Sequence, residues 1–252
     1  MVRALILYAP GINCDLETKT AFQTCGASVD EIPVKKLEEQ TSKLLLYDIL
    51  ILPGGFSYGD SISSGKILSV YMREFLKETV LEFLKRDTLV LGICNGFQVL
   101  VKSGLLGHDI TLAENANGRF EDRWVRLRVR NSRCIFTKGL DIIELPVAHR
   151  GGRVVIKDGV VNATLAYIDE QDKPTMEYPY NPNGSEDAIA GICDDSGRIF
   201  GLMPHPERFY LPIQYPGTWK DKIPHGMKII KNAVDWVEAH TSLSGVHRII
   251  DD

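Results

Sequence analysis

One cysteine of this sequence lies on a turn between two glycines. The stretch LVLGICNGFQ, residues 89–98, begins as an apolar run typical of a buried strand and continues after Gly96 with helical spacing. Cys94 lies at the junction, in a Gly-x-Cys-x-Gly pattern that has the form of a nucleophile elbow with cysteine in place of serine. Gly92 and Gly96 lack Cβ atoms, so the strand and the helix can approach closely around a strained backbone. The dipoles of the following helix point at the sulfur and favour the nucleophilic thiolate.

The elbow also offers a hydrogen-bond donor. The backbone N–H of Asn95 can face the oxyanion that forms when the sulfur attacks a carbonyl group. The alternative interpretation is that Cys94 is a structural cysteine, because cysteine is among the residue types most often buried. Cys193 provides a comparison: it also follows Gly-Ile, but no glycine comes after it, and we predict that it only packs in the core.

A thiolate nucleophile needs a general base, and the segment MPHPER, residues 203–208, offers one. His205 follows an apolar strand candidate, and the prolines on both sides of it restrict the backbone. Side chains two residues apart in an extended segment project to the same side, so Glu207 can orient the imidazole. With Cys94 these residues would complete a catalytic triad. A histidine between prolines is by itself more often an ordinary loop residue, so this hypothesis depends on the elbow.

A third segment, PGGFSYGD at residues 53–60, also follows an apolar strand candidate. Gly55 can turn a backbone N–H towards Cys94 and give the oxyanion a second donor. The alternative is a simple tight turn between a strand and a loop. A Walker-type phosphate loop is excluded, because the spacing of the later glycines is one residue too long and Ile67 stands where Ser or Thr is required.

Composition limits the classes of function. A chain of 252 residues can bury one large core, and we predict a single domain over residues 1–252. A net charge of -4 gives no reason to expect nucleic acid or an anionic membrane as a partner, and no apolar run is long enough to span a bilayer.

The cysteines indicate the compartment. The sequence has five cysteines without a CxxC pair and no recognisable signal peptide, which predicts reduced thiols in the cytoplasm. No Cys or His pair has zinc-ligand spacing, so we expect no metal.

Strand and helix patterns alternate along the first half of the chain. This alternation predicts a three-layer α/β fold with a central, mostly parallel sheet and antiparallel strands added at its edge. The predicted parallel strands are 4–8, 28–34, 49–52 and 89–93, and the predicted helices are 17–25, 67–85, one after Gly96, and 227–238. The predicted antiparallel strands are 124–129, 154–156 and 163–168, followed by a hairpin of 189–192 with 199–203. Residues 171–187 and 209–225 are predicted to be loops.

Five stretches of the sequence resemble a known family. The chain is similar to class I, or triad-type, glutamine amidotransferases, and more narrowly to the glutaminase subunits of phosphoribosylformylglycinamidine synthase, a purine-biosynthesis enzyme. The resemblance covers most of residues 1–208. It lies in PGGFSYGD (53–60), GICNGFQ (92–98), NGRFEDRW (117–124), PVAH (146–149) and GLMPHPER (201–208). The details FSYGD and NGFQ indicate this branch of the amidotransferases.

The resemblance implies a role for each candidate residue. Cys94 would be the nucleophile, His205 the general base and acid, Glu207 its orienting partner, and the backbone amides of Gly55 and Asn95 the oxyanion hole. The substrate would be L-glutamine, and the fold would be flavodoxin-like. The ammonia would pass to a synthetase subunit that uses ATP and Mg²⁺, with a small bridging subunit also present. No cofactor is expected in this chain.

One segment departs from the family pattern. After Pro-Val-Ala-His the family has Gly-Glu-Gly-Arg-Phe, whereas this chain has RGGRV at residues 150–154, a difference that could alter docking with the synthetase or activation by it. We expect His149 to be a loop or interface residue.

Other functions stay open: an amidotransferase that serves another acceptor, such as in GMP or CTP synthesis, or a peptidase or redox protein built on the same elbow. A non-catalytic scaffold is disfavoured, because no triad member is missing.

Overall fold

The protein is described by a computed structural model that covers residues 1–130, 133–157, 159 and 161–243. Within these residues a nine-stranded sheet has the order β2-β1-β3-β4-β11-β10-β9-β6-β7, and β5 and β8 form a separate pair. The strands are β1 (Arg3–Tyr8), β2 (Ser28–Pro33), β3 (Ile49–Leu52), β4 (Leu89–Ile93), β5 (Ile110–Ala113), β6 (Glu121–Val129), β7 (Ile142–His149), β8 (Arg153–Ile156), β9 (Ala163–Tyr167), β10 (Ile189–Cys193) and β11 (Ile199–Leu202).

Helices cover both faces of the large sheet. They are α1 (Asp15–Thr24), α2 (Val34–Glu39), α3 (Lys66–Glu74), α4 (Lys77–Leu84), α5 (Asn95–Ser103) and α6 (His225–Leu243). Short 3₁₀ turns occur in several of the connections. None of the helices in the described part of the chain combines the length and apolar character needed to cross a bilayer.

The three-layer arrangement follows from side chains that point alternately to the two faces of the parallel strands. In β1, Leu5 and Leu7 join the core cluster that contains α2, α3 and α4, whereas Ala4 and Ile6 join the cluster that contains α1 and α6. Successive side chains of a strand point to opposite faces, so a strand with helices on both faces is apolar at every position. The predicted α/β class, with a largely parallel sheet extended by antiparallel strands, is therefore confirmed.

Two predicted elements are wrong in detail. The helix predicted over residues 67–85 is two helices, α3 and α4, which break at Phe75 and Leu76. The break buries Leu76 and turns α4 so that Val80 and Phe83 enter the core. The strand predicted at 154–156 is β8, but it pairs with β5 outside the large sheet instead of extending its edge.

The predicted hairpin of β10 and β11 lies near the centre of the sheet, because β11 also pairs in parallel with β4. Asp194 closes its turn. Its Oδ1 accepts hydrogen bonds from the N–H groups of Arg198 at 2.9 Å and Ile199 at 2.7 Å, and its Oδ2 accepts one from Ser196 at 3.1 Å. One carboxylate therefore satisfies three backbone donors at the entrance to β11.

We expect Asp194→Ala to lower the free energy of unfolding by about 1–3 kcal/mol, because three backbone donors lose their acceptor. Urea denaturation followed by circular dichroism measures the change. Asp195→Ala is the matched control, since the neighbouring Asp195 is exposed and should tolerate the change with little effect. Equal stability of the two variants would contradict this role of Asp194.

Candidate active site

Cys94 lies directly after β4 and directly before α5, with backbone angles of φ 50° and ψ -102°. A non-glycine residue in this region of φ is strained, and such strain persists only where the surrounding structure enforces it. A Cβ on Gly92 would lie 2.5 Å from Cδ1 of Leu100, and a Cβ on Gly96 would lie 1.8 Å from the carbonyl oxygen of Leu52. The two glycines thus allow α5 to pack against the ends of β3 and β4 with the cysteine held at the turn.

His205 follows the end of β11, the strand next to β4 in the sheet. Leu202 of β11 pairs with Ile93 of β4, so the two strands end side by side. The N–H of His205 donates a 2.8 Å hydrogen bond to the carbonyl oxygen of Pro146. Its Nδ1 donates a hydrogen bond of 2.6 Å to Oε1 of Glu207, and both side chains are buried.

The charge environment of His205 favours its protonated form. Burial lowers the pKa of His205, but the carboxylate of Glu207 and the sulfurs of Cys14 and Cys94 together raise that pKa well above 6.5. The ring is buried, and the sulfurs of Cys14 and Cys94 lie close enough to contribute to this rise in pKa. The two ring nitrogens therefore have distinct environments, with Nδ1 held by the carboxylate and the ring close to two sulfurs.

The residues of the predicted glycine turn contact the loop after β1. Gly55 has φ 135°, and a Cβ there would lie 2.7 Å from the backbone N of Asn13. Gly55 also forms an isolated antiparallel bridge with Ile12. Only glycine fits this conformation and this close approach. The turn therefore brings the end of β3 against the end of β1, beside the elbow.

The side chain of Asn95 fixes the loop that follows this turn. Its Oδ1 accepts a hydrogen bond from the N–H of Ser57 at 3.2 Å, and its Nδ2 donates to Asp60 at 3.2 Å and to Gln98 at 2.9 Å. Asn95 is buried. The asparagine of the elbow thus connects α5 with the FSYGD segment, a role that the sequence interpretation did not include.

A cavity of about 670 Å³ opens at these strand ends. Cavities of about 300–1,000 Å³ are typical of small-molecule sites, so an amino acid fits. Cys94 is 6 % exposed and reaches the cavity despite its burial. The walls also include Gly55, Cys14, Gln98, His149, Arg150 and His205.

Cys14 was not selected from the sequence as a site residue. It lies directly before α1, is almost fully buried, and accepts a 3.2 Å hydrogen bond from Nη2 of Arg208. Its sulfur, a ring nitrogen of His205 and a carboxylate oxygen of Glu207 all lie within 4.8 Å of one another. Its position after the first parallel strand was the available signal, because parallel strands present ligands at their carboxyl ends.

His149 was expected in a loop or an interface, but it is the last residue of β7 and lies in the wall of the cavity. Its Nδ1 forms a 3.1 Å hydrogen bond with Oδ1 of Asn115. Burial, together with the charge of nearby His205, lowers the pKa of His149 to about 3. This histidine is therefore neutral at physiological pH.

The segment that departs from the family pattern lies at the same cavity. Arg150 and Gly151 both line it, and the carbonyl oxygen of Gly151 accepts a hydrogen bond from the side-chain amide of Gln98. The backbone N–H of Asn115 donates a 2.8 Å hydrogen bond to the carbonyl oxygen of Arg150. Arg150 therefore places a positively charged side chain at the wall of the cavity itself.

Comparison with known proteins gives consistent matches. Residues 1–237 match the family described as the CobB/CobQ-like glutamine amidotransferase domain. A protein of Dehalococcoides mccartyi named phosphoribosylformylglycinamidine synthase subunit PurQ is 43% identical, over 93% of this chain and 97% of the relative. The protein of the same name from Methanococcus maripaludis is 38% identical, over 93% of this chain and 97% of the relative.

A solved structure gives a similar result. A chain of the PurLQS structure from Thermotoga maritima superposes with a TM-score of 0.75 and 32% identity, covering 94% of this chain and 99% of that one. The glycine-flanked cysteine, the His-Glu pair and the fold all occur within the residues that match. The chain belongs to the CobB/CobQ-like glutamine amidotransferase family, and within it to the branch of the phosphoribosylformylglycinamidine synthase subunits.

Proposed function

We propose that this chain hydrolyses L-glutamine and supplies the ammonia to a synthetase that makes formylglycinamidine ribonucleotide in purine biosynthesis. The observation that carries the proposal is the junction of two adjacent parallel strands, where the elbow cysteine lies beside a buried His-Glu pair in an open cavity. The names of the relatives, which are 36% to 43% identical across more than nine-tenths of this chain, favour this acceptor over others.

Cys94 is the nucleophile in this proposal. Its thiolate attacks the side-chain amide carbon of glutamine, and the tetrahedral intermediate collapses to a thioester while the departing nitrogen takes a proton from His205 and leaves as ammonia. Water then attacks the thioester and gives a proton to His205, and the intermediate collapses to release glutamate and restore the Cys94 thiolate beside a protonated His205. Glu207 holds Nδ1 of His205 and stabilises the imidazolium.

Two backbone amides are proposed as the oxyanion hole. Asn95 is the first residue of α5, so its N–H has no acceptor within the helix. Gly55 lines the cavity, and its backbone angle is available only to glycine. Each donor of this kind contributes about 10²–10³ to the rate of acyl transfer.

The two buried histidines of the cavity differ in their partners, and this difference supports His205 as the base. His205 has a carboxylate on Nδ1, which raises its pKa against the effect of burial. His149 has only the neutral amide of Asn115 on that nitrogen. A neutral amide oxygen stabilises an imidazolium much less than a carboxylate does, so His149 is proposed to form part of the cavity wall without transferring protons.

Another subunit must use the ammonia that this chain releases. We propose that a PurL-type synthetase subunit receives it, that a PurS-type small subunit completes the complex, and that ATP and Mg²⁺ act only in the synthetase. The solved structure from Thermotoga maritima supports this assembly, because its name, PurLQS, joins all three subunits. We also propose that the protein works in the cytoplasm, where thiols stay reduced.

We expect Cys94→Ala to lower glutamine-dependent ammonia release by about three orders of magnitude or more, because the covalent intermediate cannot form. The assay uses the complete complex and measures glutamate. Cys193→Ala is the matched control, since Cys193 also follows Gly-Ile and is buried, but it lies in the core away from the cavity. Full activity of Cys94→Ala would disprove the mechanism.

We expect the two histidines to titrate differently in ¹⁵N NMR spectra of the folded chain. The ring of His149 should stay neutral between about pH 8 and 5, because its pKa is lowered to about 3. The ring of His205 should lose its proton at a higher pH than an exposed histidine does, because its pKa is raised well above 6.5. Spectra of His149→Gln and His205→Asn assign the signals. A His149 signal that titrates near its ordinary pKa would contradict the buried, neutral state.

We expect the isolated chain to hydrolyse glutamine slowly, and the synthetase and small subunit to raise its turnover by roughly 10-fold or more. We expect this dependence because ammonia that is released without an acceptor is lost. Steady-state glutamate production with and without the partner subunits measures the ratio. A high turnover that the partners do not change would contradict the expectation.

A further inference from the structure

We infer that Cys14 is a positioning residue of the glutaminase, which fixes both the backbone N–H of Gly55 and the ring of His205. The inference deepens the proposed function and rests on it. Cys14 is not a second nucleophile. Its backbone angles, φ -104° and ψ 14°, lack the strain found at Cys94. Burial raises the pKa of its thiol, so the thiol stays protonated at neutral pH.

The segment that contains Cys14 holds the glycine turn by backbone hydrogen bonds. The N–H of Cys14 donates to the carbonyl oxygen of Gly54 at 3.3 Å. On the other side of the turn, the N–H of Phe56 donates to the carbonyl oxygen of Gly11 at 2.8 Å. These two hydrogen bonds flank Gly55, so the peptide planes before and after this glycine are both fixed.

The first of these bonds determines where the N–H of Gly55 points. The peptide bond between Gly54 and Gly55 is trans. In a trans peptide the C=O and the N–H point in opposite directions. Because the carbonyl oxygen of Gly54 faces Cys14, the N–H of Gly55 points away from the segment of Cys14. Gly55 lines the cavity, so this donor is oriented before substrate binds.

The sulfur of Cys14 and the ring of His205 both pack on the Cα of Gly54. A Cβ on Gly54 would lie 2.9 Å from Cε1 of His205 and 3.1 Å from Sγ of Cys14. Favourable contacts between carbon atoms begin at about 3.5 Å, so a methyl group does not fit. The φ of Gly54 is not left-handed. Packing against the sulfur and the imidazole, rather than the backbone angle, therefore requires glycine here.

Two hydrogen bonds hold the sulfur itself. Its S–H donates to Oδ1 of Asn13 at 3.3 Å, and Nη2 of Arg208 donates to Sγ at 3.2 Å. Asn13 lies between β1 and α1, and Arg208 follows β11. Cys14 thus connects the segment that holds the oxyanion donor with the segment that carries the base. A hydroxyl group can make the same two hydrogen bonds, whereas a methyl group can make neither.

The two groups that Cys14 positions act after glutamine has bound. The N–H of Gly55 is needed when charge develops on the attacked oxygen, and His205 is needed when protons move. Neither interaction stabilises the bound substrate as much as the transition state. Loss of Cys14 should therefore lower kcat and leave the KM for glutamine nearly unchanged.

Single variants are compared in the complete complex by steady-state glutamate production. We expect Cys14→Ala to lower kcat by about 10-fold to 100-fold with less than about a 3-fold change in KM. Cys14→Ser should retain most of the rate. Cys25→Ala is the matched control, since Cys25 is buried at the other end of α1 and does not line the cavity. An unchanged kcat in Cys14→Ala, or a loss confined to KM, would overturn the inference.

A double variant tests the contact through Gly54. We expect Gly54→Ala to lower kcat, because the added methyl group displaces the ring of His205. In Gly54→Ala/Cys14→Ala that methyl group occupies the volume that the sulfur leaves. Its kcat should be at least about 5-fold higher than the product of the two single losses predicts. Losses that simply multiply would contradict the contact.

An aldehyde analogue, L-glutamate γ-semialdehyde, reports on the oxyanion donor. The sulfur of Cys94 adds to the aldehyde carbon and the thiol proton passes to the aldehyde oxygen, so the adduct places an oxygen at the oxyanion position. We expect its Kd to rise in Cys14→Ala by about the same factor as kcat falls, while the Kd of L-glutamate changes little. Equal affinity of the unmodified chain and Cys14→Ala for the aldehyde would overturn the role of Cys14.

NMR spectra of the isolated chain separate this inference from the proposed function. The ¹⁵N signals of the His205 ring should shift in Cys14→Ala and stay in place in Cys25→Ala, whether or not glutamine is hydrolysed. A chain that shows this shift but never hydrolyses glutamine would remove the proposed function, while the packing of Cys14 on His205 would stand. A chain that hydrolyses glutamine but shows neither the shift nor the loss of kcat would overturn the inference alone.

Discussion

The parallel pairing of β4 with β11 is the constraint on which the candidate site depends. Backbone hydrogen bonds hold Ile93 beside Leu202, so the turns that follow the two strands begin next to each other. One turn carries Cys94 and the other carries His205. More than a hundred residues separate the two side chains in the chain, and the closure of that long loop is compensated by burial of the central strands.

The backbone is locally strained next to this pair of strands. The backbone of Cys94 has a conformation that ordinary residues avoid, and it is enforced by the close approach of α5 to β3, where Gly96 packs on the carbonyl oxygen of Leu52. Backbone strain of this kind costs about 1–3 kcal/mol and is common at functional sites. The benefit is a sulfur that faces the cavity from an otherwise buried turn.

The electrostatics of the site result from burial of ionisable groups in contact with one another. The His205–Glu207 pair is removed from water, and the short hydrogen bond between the two side chains offsets part of the desolvation cost. Cys14 and Arg208 complete the group of charges and thiols around the imidazole.

The sequence by itself determined the parts of the molecule that local chemistry controls. Glycines on both sides of Cys94 predicted the elbow, and the spacing of His205 and Glu207 predicted their contact, because both depend on the conformation of a few adjacent residues. Apolar runs likewise predicted the central parallel strands, since a strand covered on both faces must be apolar throughout.

Only the tertiary structure decided the features that depend on distant segments. The break between α3 and α4 at Leu76, the pairing of β8 with β5 and the burial of His149 in the cavity wall left no local pattern. The position of Cys14 after β1 was visible in the sequence, but its contact with His205 was not. Each of these features depends on which surfaces of distant segments pack together in the folded chain. Hydrophobic periodicity reports how a segment is buried, but not which partner buries it.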